Sequence, residues 1–214
     1  NIGYAKNFLY TLNSIIPKFD FYCFSDQDDI WEINKLNKAI SFQRKNHPIK
    51  SYLYFSRTTY FNENCAFELG KSVLFTKKPS FKNALVQNMA GGNTMVFNHI
   101  AKDIICESIS NVNFVSHDWW CYQIITGSGG YVHYDLEPLI KYRQHKNNFM
   151  GSNNTFKDKF KRIRKLFQNQ FRDWNEINLY ALNKKKYLLT KENSLTLKRF
   201  SELRKQSFFR RIFL

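Results

Sequence analysis

Three carboxylates follow a short apolar run near the start of the chain and could bind a divalent cation. Residues 21–24 are apolar or aromatic, and Asp26, Asp28 and Asp29 follow them closely. Like charges at this spacing repel one another unless a cation or a proton neutralises them. Because all of these ligands would be oxygen atoms, a hard cation such as Mg²⁺ or Mn²⁺ is favoured, with water and substrate phosphate completing its coordination. The alternative is a solvated acidic turn that caps the next helix.

The flanking sequence predicts a strand before the carboxylates and a helix after them. Residues 33–42 carry apolar side chains at helical spacing. In an open α/β sheet, ligands bind in the crevice beyond the carboxyl ends of the strands. The carboxylates are therefore predicted to lie where such a sheet binds its ligand.

The rest of the chain predicts further helices and strands. Helices are expected at residues 8–16, 81–88, 100–108 and 116–126, and strands at residues 52–61, 72–75, 95–97, 131–134 and 139–142. Asn98 is expected to cap the helix at residues 100–108. Together these elements predict an α/β fold, with a mixed sheet flanked by helices in one domain over residues 1–150.

Asp118 is the second candidate for chemistry, in the segment Ser116-His117-Asp118-Trp119-Trp120. A carboxylate among tryptophans is partly desolvated, which raises its pKa towards that of a useful general base. The alternative is that Ser116 or Asp118 caps the helix that follows. The two tryptophans either pack in the core or offer a stacking surface.

Two further segments contain residues suited to ligand contact. The turn at residues 91–94 contains Gly92 and Asn93, and its paired glycines would let a ligand approach the backbone closely. An ordinary turn between elements is the alternative. Arg143 could contact a diphosphate, and His145 could bind a metal ion or the diphosphate. Considered alone, this Arg-x-His segment is more simply explained as a surface cluster.

The composition indicates a globular protein. The chain has 214 residues, of which 43% are hydrophobic, enough to bury a sizeable core. Its four cysteines are scattered without metal-binding spacing, which favours free thiols in a reducing cytoplasm. The sequence has no run of 18 or more apolar residues, so no spanning helix is expected.

The net charge of +16 is concentrated after residue 155. Residues 156–214 contain 17 Lys or Arg and 5 Asp or Glu, whereas residues 1–155 contain 16 and 12. Apolar residues recur at helical spacing within this basic segment, at Phe156, Phe160, Ile163, Phe167 and Phe171. This pattern predicts a basic amphipathic helical tail over residues 156–214 and peripheral contact with a membrane surface. The alternative is an appendage that packs on the first domain with a solvated basic face.

Three motifs, in the same order, resemble those of family 2 glycosyltransferases, especially the bacterial rhamnosyltransferase-like branch. They are Ser-Asp-Gln-Asp-Asp-Ile-Trp at residues 25–31 with Lys35-Leu36 after it, His117-Asp118-Trp119-Trp120, and Tyr142-Arg143-Gln144-His145 followed by Asn147-Asn148. An Asp-x-Asp sequence alone would be a weak signal. Three ordered motifs make the resemblance specific.

The resemblance implies a GT-A-like (Rossmann-like) fold and a metal-dependent, inverting transfer of a sugar from a nucleotide-diphosphate donor. Asp28 would bind the metal ion, with His145 as a further ligand. Asp26 would contact the donor ribose or sugar, and Arg143 the diphosphate. Asp118 would be the general base that deprotonates the acceptor hydroxyl. The residues implied to contact the substrate are Gly92, Asn93, Trp119 and Trp120.

The resemblance also implies a cellular setting and a partial chain. It suggests bacterial surface polysaccharide synthesis, of O-antigen or capsule, on the cytoplasmic face of the membrane with a saccharide or lipid-linked acceptor. In the resembled family, two strand–helix units precede the Asn-x-Gly segment found here at residues 1–3. We therefore expect a partial sequence that lacks about 80–100 residues.

Two other functional classes remain open. A metal-dependent phosphoryl-transfer enzyme or nuclease would use the same carboxylates beside a basic surface. Because most excess charge lies after residue 155 rather than around the carboxylates, no nucleic-acid partner is expected. A non-catalytic binding module is the second alternative, and it would tolerate replacement of Asp28 or Asp118.

Overall fold

The computed structural model describes residues 2–16, 19–46, 49–144 and 170–206. The helices are α1 (Tyr4–Ser14), α2 (Lys35–Asn46), α3 (Phe81–Ala84), α4 (His99–Ser108), α5 (His117–Gly127), α6 (Gln170–Lys184) and α7 (Lys191–Lys205). The strands are β1 (Phe21–Cys23), β2 (Ile30–Trp31), β3 (Tyr52–Phe61), β4 (Glu68–Lys71), β5 (Val96–Asn98) and β6 (Tyr131–Arg143).

The strands that the structure describes form one mixed sheet in the order β1-β5-β3-β6-β2, with β4 paired to the end of β3. β3 and β6 are parallel, and every other pair in this sheet is antiparallel. A mixed sheet flanked by helices is compatible with a Rossmann-like fold, as the sequence predicts.

β3 lies at the centre of the sheet, and the sheet divides the core into two layers. Successive side chains of a strand point to opposite faces. Leu53 and Phe55 belong to the larger cluster, which includes residues of α1, α4 and α5. Tyr52 and Tyr54 belong to a smaller cluster with Ala39 of α2. The sheet therefore separates α2 from the other helices of the N-terminal part.

The C-terminal helices pack on the same core as the sheet. Their contribution to the larger cluster comprises Leu179, Ala181, Leu182, Leu189 and Leu197. The described part of the predicted tail therefore packs on the N-terminal part of the chain. The amphipathic stretch from Phe156 to Phe167 and the boundary near residues 150–156 lie outside the described residues.

α5 is held at both ends by these C-terminal helices. The amide of Val115, just before the helix, donates to Asn178 Oδ1 at 3.1 Å. At the other end, the carbonyl of Gly127 accepts from the Thr190 amide and from Asn193 Nδ2, each at 3.0 Å. Because the last carbonyls of a helix have no partner within it, these two donors complete the end of α5.

Two element predictions are wrong. The strand expected at residues 72–75 is absent there, and β4 lies at Glu68–Lys71 instead. The two strands expected at residues 131–134 and 139–142 are one strand, β6. Register shifts opposite Arg57 let this strand continue past Pro138. None of the described helices is both long enough and apolar enough to cross a membrane.

The predicted cap at Asn98 is confirmed, and this side chain also joins two strands. Its Oδ1 accepts from the Ala101 amide in the first turn of α4 and from the Tyr52 amide of β3, both at 3.0 Å. Its Nδ2 donates to the Lys50 carbonyl at 2.8 Å. One buried amide therefore satisfies three backbone groups from two elements.

We expect Asn98→Ala to lower the free energy of unfolding by about 2–4 kcal/mol, because the cap is lost and the buried Tyr52 amide also loses its partner. Urea denaturation measures the loss. Thr190→Ala is the control, since Thr190 caps α7 through one bond to the Asn193 amide. It should cost about 1 kcal/mol. Equal losses in the two variants would contradict the wider role of Asn98.

Candidate functional site

The loop between β1 and β2 holds the three carboxylates in a partly buried position. Asp26, Asp28 and Asp29 are all half-buried. The pKa of Asp29 is raised to about 6, mainly by burial and also by the charges of Asp26 and Asp28. A bond from Asn93 and the facing backbone N–H of Arg143 act in the opposite direction. The loop therefore concentrates negative charge that the fold only partly compensates.

Lys35 lies beneath this loop and is fully buried. Its Nζ donates to the Asn93 carbonyl at 2.8 Å and lies 3.5 Å from the centre of the Trp31 ring. Burial lowers the pKa of Lys35 to about 8, although the nearby Cys23 and Asp29 favour its charged form. The lysine thus fixes the turn that contains Asn93 through a backbone carbonyl.

Asn93 joins the glycine turn to the acidic loop. Its side-chain Nδ2 donates to Asp29 Oδ2, while its carbonyl accepts from Lys35. Only 7% of the residue is exposed. The sequence predicted Asn93 as a substrate contact, but in this structure its amide is engaged with Asp29. Asn93 therefore supports the site from within the fold.

Gly92 is required by the close approach of His117. A Cβ atom on Gly92 would lie 2.4 Å from His117 Nε2, far inside van der Waals contact. The predicted close approach at this glycine is therefore made by a histidine of the same chain. The motif at residues 117–120 contained His117, but sequence reasoning gave it no role.

Asp118 lies in the first turn of α5 and acts electrostatically on the acidic loop. Burial raises the pKa of Asp26, and the charges of Asp28 and Asp118 raise it further, against an opposing effect of His117. Asp118 Oδ1 accepts from the Trp119 amide at 2.7 Å. Ser116 makes no side-chain bond that caps the helix. The structure thus brings together two acidic groups that are about ninety residues apart in sequence.

Trp119 and Trp120 pack in the core, which is the first of their two predicted alternatives. Trp119 Nε1 donates to the Ala84 carbonyl at 2.7 Å, and Trp120 Nε1 donates to Ser108 Oγ at 2.8 Å. Both residues are buried. Core packing accounts for the positions of both indoles.

The end of β6 closes the acidic loop from the other side. Arg143 is half-buried, and its backbone faces Asp29. The neighbouring Tyr142 was not predicted as a site residue. Its pKa is raised to about 12, mainly by burial and also by the charges of Asp29 and the other two loop carboxylates. His145 lies outside the described residues, so its predicted metal contact stays a prediction.

The donor set fits a divalent cation only with help from a substrate. Among the residues described, no three His, Cys, Asp or Glu side chains are arranged to hold a metal ion. A Mg²⁺ ion bound with phosphates needs only one or two protein carboxylates. Asp29 Oδ1 is buried and has no hydrogen-bond partner in the described part of the chain. Asp28 with diphosphate oxygens would meet this requirement, and the unpaired Asp29 oxygen would add negative charge beside the ion.

Comparison with known proteins supports a relationship to glycosyltransferases. No protein-family model matches the chain. It is 30% identical over 174 residues to the dTDP-rhamnosyl transferase RfbG of Shigella flexneri, an alignment that covers 75% of this chain and 56% of that protein. The chain therefore spans little more than half the length of this curated relative.

The raised pKa of Asp29 predicts a specific pH dependence of stability. Its folded pKa of about 6 lies above the ordinary value of 3.8, so the folded chain binds more protons between these values. This contribution stabilises the fold below pH 4 and is lost as the pH rises through 6. Asp29→Asn keeps an acceptor for Asn93 and removes the charge. We expect it to raise the free energy of unfolding at pH 7.5 by about 1 kcal/mol, less than a two-unit shift implies because the carboxyl is partly exposed.

Urea denaturation between pH 4 and 8 measures this effect. Asp20→Asn is the matched control, because Asp20 is an exposed carboxylate before β1. Asp29→Asn should flatten the fall in stability between pH 4 and 6, whereas Asp20→Asn should leave it in place. The same pH profile in both variants would show that the desolvation of Asp29 is not its cause.

Proposed function

We propose that the chain contains the catalytic part of a metal-dependent, inverting glycosyltransferase. It would move rhamnose from dTDP-rhamnose to a saccharide or lipid-linked acceptor. The observation that carries this proposal is the packing of the first turn of α5, which holds Asp118, against the acidic loop, where the rings of His117 and Phe24 meet edge-on with their centroids 4.9 Å apart. The name of the Shigella flexneri relative supports the donor, and the ordered motifs support the reaction class. The relative is longer than the aligned region, so the activity of the whole protein is part of the proposal.

The acidic loop would bind the donor diphosphate. Asn93 engages Asp29, and Asp26 and Asp28 are the other two carboxylates of the loop. Asp28 would hold a Mg²⁺ or Mn²⁺ ion, together with His145, and Asp26 would contact the ribose or sugar. When bound, the ion supplies positive charge beside the phosphates of the departing dTDP. Arg143, at the end of β6, would add a second positive charge to the same leaving group.

Asp118 would be the general base on the acceptor side. One of its oxygens accepts from the Trp119 amide, which fixes the carboxylate at the start of α5. Its other oxygen would take the proton of the acceptor hydroxyl as that hydroxyl attacks the anomeric carbon from the face opposite dTDP. The new glycosidic bond forms as the bond from the anomeric carbon to the phosphate oxygen breaks. The proton then resides on Asp118, and dTDP leaves.

Calorimetry with dTDP, with and without Mn²⁺, tests the donor site. We expect Mn²⁺ to strengthen dTDP binding and Asp28→Ala to weaken the Mn²⁺-dependent binding at least about tenfold, because the cation loses a protein ligand. Asp118→Asn should bind dTDP normally but transfer rhamnose about 10²–10⁴-fold more slowly, since the base is lost. Asp103→Asn, an exposed carboxylate on α4, is the control for both measurements.

Binding that is independent of both Mn²⁺ and Asp28 would contradict the proposed donor site. If neither this chain nor the protein extended by the N-terminal part of the relative binds dTDP, the glycosyltransferase proposal is wrong. A binding module that tolerates both substitutions would then be favoured.

A peripheral membrane contact through the C-terminal helices is also part of the proposal. The described part of these helices exposes Tyr180, Tyr187 and Leu195. Lys186 and Lys191 line one shallow depression together with Tyr187 and Leu195. Aromatic and apolar side chains among lysines suit the headgroup region of an anionic membrane. This surface would bring the site near a lipid-linked acceptor on the cytoplasmic face.

Co-sedimentation with vesicles tests this contact. We expect binding to vesicles that contain phosphatidylglycerol and not to phosphatidylcholine alone. Lys186→Glu with Lys191→Glu should reduce binding at least about tenfold, because each lysine near an anionic surface contributes about 1 kcal/mol. Lys77→Glu with Lys78→Glu, an equal charge change in the loop before α3, is the matched control. Equal effects of the two double substitutions on vesicle binding would indicate non-specific attraction by net charge.

A further inference from the structure

His117 is a buried imidazole whose polar atoms have no partner in the described part of the chain. Only 7% of the residue is exposed, and neither Nδ1 nor Nε2 makes a hydrogen bond there. A neutral imidazole carries one N–H donor and one acceptor. Leaving both unpaired in the interior costs stability. Packing alone would therefore favour an apolar ring at this position.

The surroundings of His117 are those of a phenylalanine. Its ring stacks on Phe8 of α1 with the centroids 4.4 Å apart, and it meets Phe24 edge-on at 4.9 Å. Tyr4 lies edge-on at 6.0 Å. Gly92 contacts the ring from the glycine turn. Side chains from α1 and the acidic loop, and the backbone of the glycine turn, thus meet on the first residue of α5.

The charged neighbours of His117 are Asp26 and Asp118. In the proposed reaction Asp26 would contact the donor, and Asp118 would deprotonate the acceptor. Burial lowers the pKa of His117, while the charges of Asp118 and Asp26 oppose that change. The pKa of His117 therefore lies below its ordinary value. A lysine or arginine here would stabilise the Asp118 anion and make it a weaker base, whereas phenylalanine would offer it no donor.

We propose that His117 is a positioning residue that sets the place of Asp118 relative to Asp26 through its polar imidazole. This inference rests on the proposed function, and it adds a role for a residue to which the reaction assigns no chemistry. The ring fixes the first turn of α5 against the acidic loop. Its two nitrogens, which make no hydrogen bond in the described part of the chain, give the neighbourhood of these carboxylates a polar group that a phenylalanine lacks.

His117→Phe tests the proposal because it keeps the ring and removes both nitrogens. We expect the melting temperature to rise by about 2–4 °C, since two unpaired polar atoms are lost. The rate of dTDP release from saturating dTDP-rhamnose should fall at least about tenfold. The affinity for dTDP with Mn²⁺ should stay within about twofold, because the donor ligands are unchanged. Replacing a residue with a purely structural role would not both raise the melting temperature and lower the rate of dTDP release.

His133→Phe is the matched control. His133 also lies among aromatic rings, 3.7 Å from Phe42 and 5.5 Å from Tyr54, and burial also lowers its pKa. These rings belong to the layer on the α2 side of the sheet. The rate of dTDP release should be unchanged in this variant.

Gly92→Ala tests the position of the ring independently. The added Cβ would collide with His117 Nε2, so the rate should fall in the unmodified chain. In a His117→Ala background the same change should have a much smaller effect, because no ring remains to be displaced. Equal losses in both backgrounds would assign the effect to Gly92 itself and overturn the proposal.

The outcomes separate this inference from the proposed function. A His117→Phe variant that releases dTDP as fast as the unmodified chain, or that is less stable, overturns the role of the imidazole and leaves the glycosyltransferase proposal standing. No dTDP release from the unmodified chain, with or without the N-terminal extension, overturns the proposed function. In that case His117 has no reaction to support, and the inference fails with it.

Discussion

The desolvation of the carboxylates after β1 is the constraint on which the rest of the site depends. A buried carboxylate is costly unless it is paired or hydrogen-bonded. Here Asp29 receives a neutral amide from Asn93, while the buried cation Lys35 binds the backbone carbonyl of Asn93. A direct ion pair would have cancelled the negative charge. The arrangement leaves that charge in place, because Asp29 is held by a neutral amide and Lys35 acts on the loop through the Asn93 backbone.

The fold provides this arrangement by bringing three distant segments to one end of the sheet. The acidic loop leaves β1, the glycine turn precedes β5, and the end of β6 faces the loop at Arg143. The β1–β5 pairing places the first two side by side. The β2–β6 pairing brings the end of β6 next to the acidic loop, which β2 follows. Strand order therefore determines which polar groups share the site.

Local signals in the sequence were sufficient for much of the fold. The bounds of β3 follow from its aromatic and β-branched residues, and the cap at Asn98 follows from the chemistry of its side chain. The sequence predicts two strands in place of β6, with Pro138 between them. The bulges of β6 depend on pairing with β3, which single-sequence patterns do not contain.

The candidate site was predicted less completely, because its internal contacts join residues far apart in the chain. The bond between Asn93 and Asp29 is one such contact, and the core positions of Trp119 and Trp120 depend on others. Lys35 did leave a local signal. It shares one helical face of α2 with Ala39 and Gln43, and all three are buried. A lysine on an otherwise buried face can therefore indicate an internal cation near a site.

The attachment of α5 to the C-terminal helices has a consequence for the order of folding during synthesis. The helix that carries Asp118 emerges from the ribosome well before Asn178, Thr190 and Asn193. Until these residues arrive, the Val115 amide and the Gly127 carbonyl lack the partners that they have in the finished fold. Domains generally fold from the N-terminus as they are made, but this helix reaches its final environment late. A nascent chain would therefore have its acidic loop before Asp118 is held opposite it.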